Sequence, residues 1–162
     1  MSIDAYIALG SNLGDRELNL LRAVAEIGKL PDSKVTGLSP FYETSPVGTT
    51  DPSPFYNAVL RLTTDIPPRA LLNKLLEIET TTFQRIRHEM NGPRRMDLDL
   101  LLYGDQVLCE DGLIVPHPRL AERRFVLQPL HDLAPGLLHP QLKKSVAALL
   151  RELHSDESVT RI

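Results

Sequence analysis

The sequence predicts an α+β domain built on an antiparallel sheet. Three observations predict it. Short apolar runs alternate with a two-residue period, two stretches carry apolar residues at helical spacing, and Gly, Pro and Ser clusters separate them in the order β-α-β-β-α-β. The 162 residues read as one domain, long enough to bury a core without staples.

Each element follows from its residues. Ile3 to Leu9 is short and apolar and runs into the turn Gly10-Ser11-Asn12-Leu13-Gly14, as a strand does. Asp15 to Leu30 places Leu20, Leu21, Val24 and Ile27 at helical spacing, and Pro31 ends it. Val35 to Thr44 reads as a second strand, and Ser45 to Pro54, rich in Pro, Gly, Thr and Ser, as a loop. In Phe55 to Thr64, Ala58, Leu60 and Leu62 alternate against Val59 and Arg61, giving a third strand. Pro67-Pro68 suits a helix start, where a missing N–H costs little, and Leu71, Leu72, Leu75, Leu76 and Ile78 supply a buried face. Thr80 to Pro93 is polar and aperiodic and reads as a long loop. Met96 to Tyr103 is a strong strand ending at Gly104-Asp105, and Val107 and Leu108 resume beyond the turn. Ile114 to Arg124 reads as irregular, Phe125 to Leu133 as an apolar run broken by Pro, Ser145 to Leu153 as a short helix, and the tail after His154 as frayed. The order matches a ferredoxin-like arrangement, with helices packed on one face of the sheet and a C-terminal extension. That arrangement hosts many chemistries, so function must come from the site.

Composition narrows the classes. Hydrophobic residues at 42% and charged residues at 24% are ordinary for a globular protein. No apolar stretch approaches the ~20 residues that span a bilayer, and Met1-Ser2-Ile3-Asp4 lacks a basic start and an apolar signal core. With Cys109 as the single cysteine there is no internal disulfide, and the cytoplasm is the expected location. A net charge of −3 and 5% aromatics argue against a general nucleic-acid binder. Yet Arg85, Arg87, Arg94 and Arg95 cluster, which suits a small, highly charged anion.

The sharpest local feature is Arg94-Arg95-Met96-Asp97-Leu98-Asp99-Leu100-Leu101-Leu102. Residues two apart in a strand share a face. Met96, Leu98, Leu100 and Leu102 then enter the core, while Asp97 and Asp99 share the other face with Cα atoms roughly 6.8 Å apart. Two carboxylates so placed repel unless a cation sits between them, and Mg²⁺ is usually held by one or two carboxylates plus substrate phosphates. A lone Asp-x-Asp reads more often as a solvated face bridged to arginine; the arginines and Pro-Gly loop just before this one shift the balance towards a metal and phosphate site. Guanidinium forks match phosphate oxygens. No Gly-x-x-x-x-Gly-Lys-Ser/Thr motif is present. Gly10 to Gly14 reads better as a strand-to-helix turn than as a phosphate cradle. His117 sits between Pro116 and Pro118, which stiffen its backbone; it can donate to a phosphate, and reads equally as a turn residue. Asn57 offers an amide that pairs with a heterocycle edge, and Phe55 and Phe125 could stack on a ring or simply pack in the core.

In this order and spacing, the chain resembles the 6-hydroxymethyl-7,8-dihydropterin pyrophosphokinase family of folate biosynthesis. The motifs are Ala5-Tyr6-Ile7-Ala8-Leu9-Gly10-Ser11-Asn12-Leu13, Phe41-Tyr42-Glu43-Thr44-Ser45-Pro46, Phe55-Tyr56-Asn57, Arg85-Ile86-Arg87, Gly92-Pro93-Arg94-Arg95-Met96-Asp97-Leu98-Asp99, Val115-Pro116-His117-Pro118 and Arg123-Arg124-Phe125. The resemblance implies transfer of pyrophosphate from ATP to the pterin hydroxymethyl group with release of AMP. It implies that Asp97 and Asp99 hold two Mg²⁺ ions, and that Arg85, Arg87, Arg94, His117, Arg123 and Glu79 serve ATP, with Arg85 and Arg94 also catalytic. Thr44, Ser45, Pro46, Val47, Phe55, Asn57, Asp97 and Phe125 would receive the pterin. A monomer bound to neither nucleic acid nor membrane is expected. Departures from the pattern are Asn91 in place of a common aromatic, Gln84 in place of a Gly, one extra residue between Glu79 and Arg85, Pro118 for Tyr, and Gly112 where an Arg can stand. Two rivals are weaker: an Asp-x-Asp glycosyltransferase needs a larger domain, and a non-catalytic ferredoxin-like ligand-binding or regulatory module does not need acids beside arginines.

Overall fold

The computed structural model describes residues 2–45, 53–83 and 96–162. Pro46, Val47, Gln84, Arg85, Arg87, Asn91 and Arg94, named above, lie outside the described residues. In chain order the elements are β1 (Ile3–Ser11), α1 (Arg16–Gly28), β2 (Ser33–Leu38), β3 (Tyr42–Thr44), β4 (Phe55–Thr64), α2 (Pro68–Glu77), β5 (Asp97–Tyr103), β6 (Leu108–Glu110), β7 (Leu113–Val115), α3 (Arg124–Leu133), α4 (Val146–Glu152) and β8 (Val159–Arg161). The result is α+β. Its main sheet runs β5-β1-β4-β3-β8, with β2 also on β4, and every pairing is antiparallel.

Strand alternation divides the molecule into two cores. Ile7, Leu9, Leu60, Leu62, Leu98 and Leu100 face α1 and α2, where Leu20, Ala23, Ile27, Leu71 and Leu75 complete a dry layer. Tyr6, Ala8, Val59 and Leu101 face the other way, onto Val126, Leu127 and Leu130 of α3 and Val146 and Leu149 of α4. Helices therefore cover both faces, not one as expected. Phe125 to Leu133 is helical despite Pro129: an interior proline costs about 3 kcal/mol, and three buried side chains at about 1.5–3 kcal/mol each offset it.

Other corrections are equally local. The expected strand from Val35 to Thr44 breaks into β2 and β3 at Ser39-Pro40. Ser39 N–H donates to the Val59 carbonyl, and Ser39 Oγ accepts from Val59 N–H. Residues Ile78–Thr82 continue α2 as a wide π-type turn, so Thr80 to Thr82, expected in a loop, are helical; residues 84–93 of that expected loop lie outside the described residues. The span Ile114 to Arg124 is less irregular than expected, since it contains the end of β7 and a 3₁₀ turn at Leu120–Glu122. In β5 the register slips: Leu100 pairs with Ile7 but Leu102 with Tyr6. This bulge sends Leu101 and Leu102 together into the α3 core, so Leu102 does not share the face of Met96, Leu98 and Leu100. The tail is not frayed; it forms β8 on the sheet edge.

Candidate active site

The chemistry-bearing residues gather where the α3 face of the sheet runs out of large side chains. Asn57, Gly10 and Asp97 lie side by side across β4, β1 and β5. Val59, Ala8 and Asp99 form the next row. The floor between the amide and the acids is thus a glycine and an alanine. A Cβ on Gly10 would stand 2.8 Å from Asn57 Nδ2 and 3.7 Å from the Phe55 ring. Gly10 supplies room rather than a turn. Thr44 Oγ1 donates to Asn57 Oδ1, and Asn57 Nδ2 reaches towards the Leu9 carbonyl at 3.4 Å. Both bonds fix which way the amide points.

Two cavities open from this floor. The smaller, about 80 Å³, is lined by Thr44, Ser45, Phe55, Asn57 and Phe125. The larger, about 580 Å³, lies outside the edge strand β5, between α2 and the β6–β7 hairpin, and is lined by Leu72, Leu76, Glu79, Leu113 and His117. Asp97, Asp99 and Arg123 line both. The acid pair is reachable from both sides because β5 has no strand beyond it among the described residues.

Around the larger cavity, Glu79 is buried and its Oε2 accepts from Leu98 N–H at 2.7 Å, on the residue between the two acids. His117 is tied to β5 by its N–H to the Leu101 carbonyl, 2.9 Å. Its Nδ1 accepts from Arg119 N–H at 3.1 Å. Burial, then Arg123 and Arg119, hold its pKa down at about 4. A neutral ring with Nδ1 accepting carries its proton on Nε2, leaving that N–H to donate elsewhere. Arg123 Nε is buried with no hydrogen-bond partner among the described residues. Burial and Arg119 lower the Arg123 pKa, opposed by Asp99, Asp97 and Glu157, and arginine remains cationic. An orphaned buried donor costs free energy that an anionic oxygen would recover.

The site fits a hard divalent cation. Among the described residues no group of three His, Cys, Asp or Glu side chains gathers; Asp97 and Asp99 offer two carboxylates to both cavities, the number Mg²⁺ usually takes from protein when substrate phosphates complete its shell.

Sequence reasoning missed the residues that brace this region. Asn12 Nδ2 donates to the Ser53 carbonyl at 3.4 Å. Arg16 donates to the Pro54 carbonyl at 2.9 Å, pairs with Glu43 at 3.2 Å and lies 3.9 Å above the Tyr56 ring. The fold alone brings them together. The small residues Ala8 and Gly10 opposite Ile7 and Leu9 were a readable signal for a floor.

Comparison with known proteins agrees in kind. The family model for 7,8-dihydro-6-hydroxymethylpterin-pyrophosphokinase matches residues 6–135. The chain is 45% identical over 129 residues to the 2-amino-4-hydroxy-6-hydroxymethyldihydropteridine pyrophosphokinase of Bacillus subtilis, covering 80% of this chain and 77% of that one. It is 42% identical to the Pseudomonas aeruginosa protein of the same name, covering 83% of each. It is 39% identical to the folic acid synthesis protein fol1 of Pneumocystis carinii, covering 91% of this chain but spanning only 20% of that longer protein. The fold is similar to the crystal structure of Plasmodium falciparum HPPK-DHPS with pterin and p-hydroxybenzoate, with a TM-score of 0.75 and 16% identity over 94% of this chain and 44% of that one. No helix among the described residues is long and apolar enough to cross a membrane.

Proposed function

The chain belongs to the 7,8-dihydro-6-hydroxymethylpterin-pyrophosphokinase family, and we propose that it transfers pyrophosphate from ATP to the hydroxymethyl group of 6-hydroxymethyl-7,8-dihydropterin, releasing AMP, a step of folate biosynthesis. The observation that carries this reading is the shared wall of Asp97, Asp99 and Arg123 between a small cavity and a large one. Two substrates that exchange a phosphate-bearing group need such a wall. A non-catalytic module needs neither the second cavity nor the acids. The strand order fits a ferredoxin-like core on α1 and α2, to which α3, α4 and β8 add a second layer. In this reading a single domain acts as a cytoplasmic monomer.

The pterin occupies the small cavity. Asn57, oriented by Thr44, pairs with the ring edge, Ser45 lines the same cavity, and Pro46 and Val47 are assigned to the pterin as well. Phe55 and Phe125 flank the ring. ATP occupies the large cavity. His117 donates Nε2–H to a phosphate oxygen, and Arg123 offers its orphaned Nε–H. Arg85, Arg87 and Arg94 neutralise the polyphosphate. Glu79 holds the backbone of Leu98 and so sets the spacing of the acids. Asp97 and Asp99 would hold two Mg²⁺ ions, which when bound would neutralise the charge on the transferring group. Asp97, across from Gly10 and nearest the pterin side, accepts the hydroxyl proton. The remaining work is positioning two substrates for in-line displacement at the β-phosphorus.

The test is product identity. Protein, Mg²⁺ and ATP should yield AMP only when 6-hydroxymethyl-7,8-dihydropterin is added, by chromatography of the nucleotides. ADP in place of AMP, or no turnover by folded protein, rejects the proposal.

A further inference from the structure

The segment after α4 lies beyond residue 135, where the family match ends, yet it joins the two sides of the small cavity. On one side, β8 pairs with β3, Val159 opposite Thr44. Ser45 N–H donates to the Ser158 carbonyl and Ser158 N–H donates to Ser45 Oγ, each at 3.0 Å. On the other side, half-buried Glu157 accepts Arg124 N–H at 2.9 Å. Ser155 Oγ donates to the same carboxylate oxygen at 3.1 Å and accepts Glu157 N–H at 3.1 Å, which locks the rotamer. Thr44, Ser45, Arg123 and Phe125 all line that cavity.

The start of α3 needs this help. Its N-cap residue is Arg123, which makes no side-chain cap bond, and Arg124 follows. Two cations at the positive end of a helix are electrostatically unfavourable, and the usual Ser, Thr, Asp or Asn cap is missing. Glu157 supplies both the missing acceptor and a compensating charge from a residue distant in sequence. It is also among the carboxylates that oppose the lowering of the Arg123 pKa.

We propose that the C-terminal segment is a clasp of the small cavity and that Glu157 is its positioning residue, holding Arg123 and Phe125 at a set distance from Thr44 and Ser45. The proposal rests on the pterin assignment of that cavity. Steady-state kinetics with both substrates varied, on wild type, Glu157→Ala, Glu157→Gln, Ser155→Ala and Asn57→Ala, test it. Glu157→Ala should raise the pterin KM about tenfold, because the cap is lost and the cavity wall shifts. The ATP KM should rise less, because Arg123 is only one of several cations assigned to the polyphosphate. Glu157→Gln retains an acceptor and should stay within about threefold of wild type, with Ser155→Ala between the two. An unchanged pterin KM in Glu157→Ala, equal rises in both KM values, or Gln behaving as Ala overturns the clasp. Asn57→Ala separates the two levels. If it raises the pterin KM while Glu157→Ala does not, only the clasp fails; if it too leaves the pterin KM unchanged, the pocket assignment fails and takes the clasp with it.

Discussion

On the α1–α2 side of the sheet, Ile7, Leu9, Leu60, Leu62, Leu98 and Leu100 pack against two helices in one apolar cluster. On the α3 side, the same three strands present Ala8, Gly10, Asn57, Asp97 and Asp99, and the helix layer stops at Arg123 and Phe125. Period-two alternation lets one set of strands do both jobs. The apolar half supplies rigidity, and the other half can then carry two acids and a guanidinium with an unpaired buried Nε–H at its open end. Substitutions should therefore register as stability on one face and as turnover on the other.

The largest effects test that separation directly. Asp99→Ala should lower kcat/KM about a thousandfold, as loss of an electrostatic clamp on phosphoryl groups does. Its thermal midpoint should move by no more than about 3 °C. Ile27→Ala, fully buried in the α1 layer, should do the reverse, losing about 2–5 kcal/mol of unfolding free energy by denaturant titration. Its KM values should hold wherever it is folded. A large loss of turnover by folded Ile27→Ala would show instead that the two faces are coupled.

Legibility divides along a similar line. Phe55 to Thr64 alternates so regularly that its ends match β4, and the Asp97 strand and α2 were plain from local period. What local period could not show depended on distant partners. β8 is a polar tail that becomes a strand because β3 offers an unpaired edge. The β5 bulge exists because Leu101 and Leu102 both find room beneath α3. The α3 helix was hidden by Pro129, whose cost only tertiary burial offsets. Candidate site residues were named by motif order; that Asn57, Gly10 and Asp97 form one row needed the register.

Gly10→Ala should act on the open face at an intermediate scale. The added methyl would sit 2.8 Å from Asn57 Nδ2, so the amide must move. Overpacking of this kind costs about 1–3 kcal/mol, here expected as a rise of about tenfold or more in pterin KM with a smaller change for ATP. In an Asn57→Ala background the same substitution should cost much less, because the group it displaces is gone. Additive losses would mean that Gly10 acts on something other than the amide.

The smallest effect concerns His117 and appears only in acid. Its folded pKa lies near 4 because of burial and the two arginines, against about 6.5 in an unfolded chain. Between those values the unfolded chain takes up a proton that the folded protein refuses. The neutral histidine therefore contributes no pH penalty above pH 6.5, and stability falls as pH drops from there towards 4. His117→Gln keeps a neutral polar side chain and removes that proton uptake. Denaturation midpoints of the two proteins should run parallel above pH 7. Below pH 6.5 the wild type should fall more steeply, with His139, also lowered by burial, acting equally in both. Adding ATP should flatten the wild-type curve, since a phosphate beside Nε2 favours the protonated ring. Parallel curves throughout would place His117 in ordinary solvent and remove the reason to seat a phosphate against it.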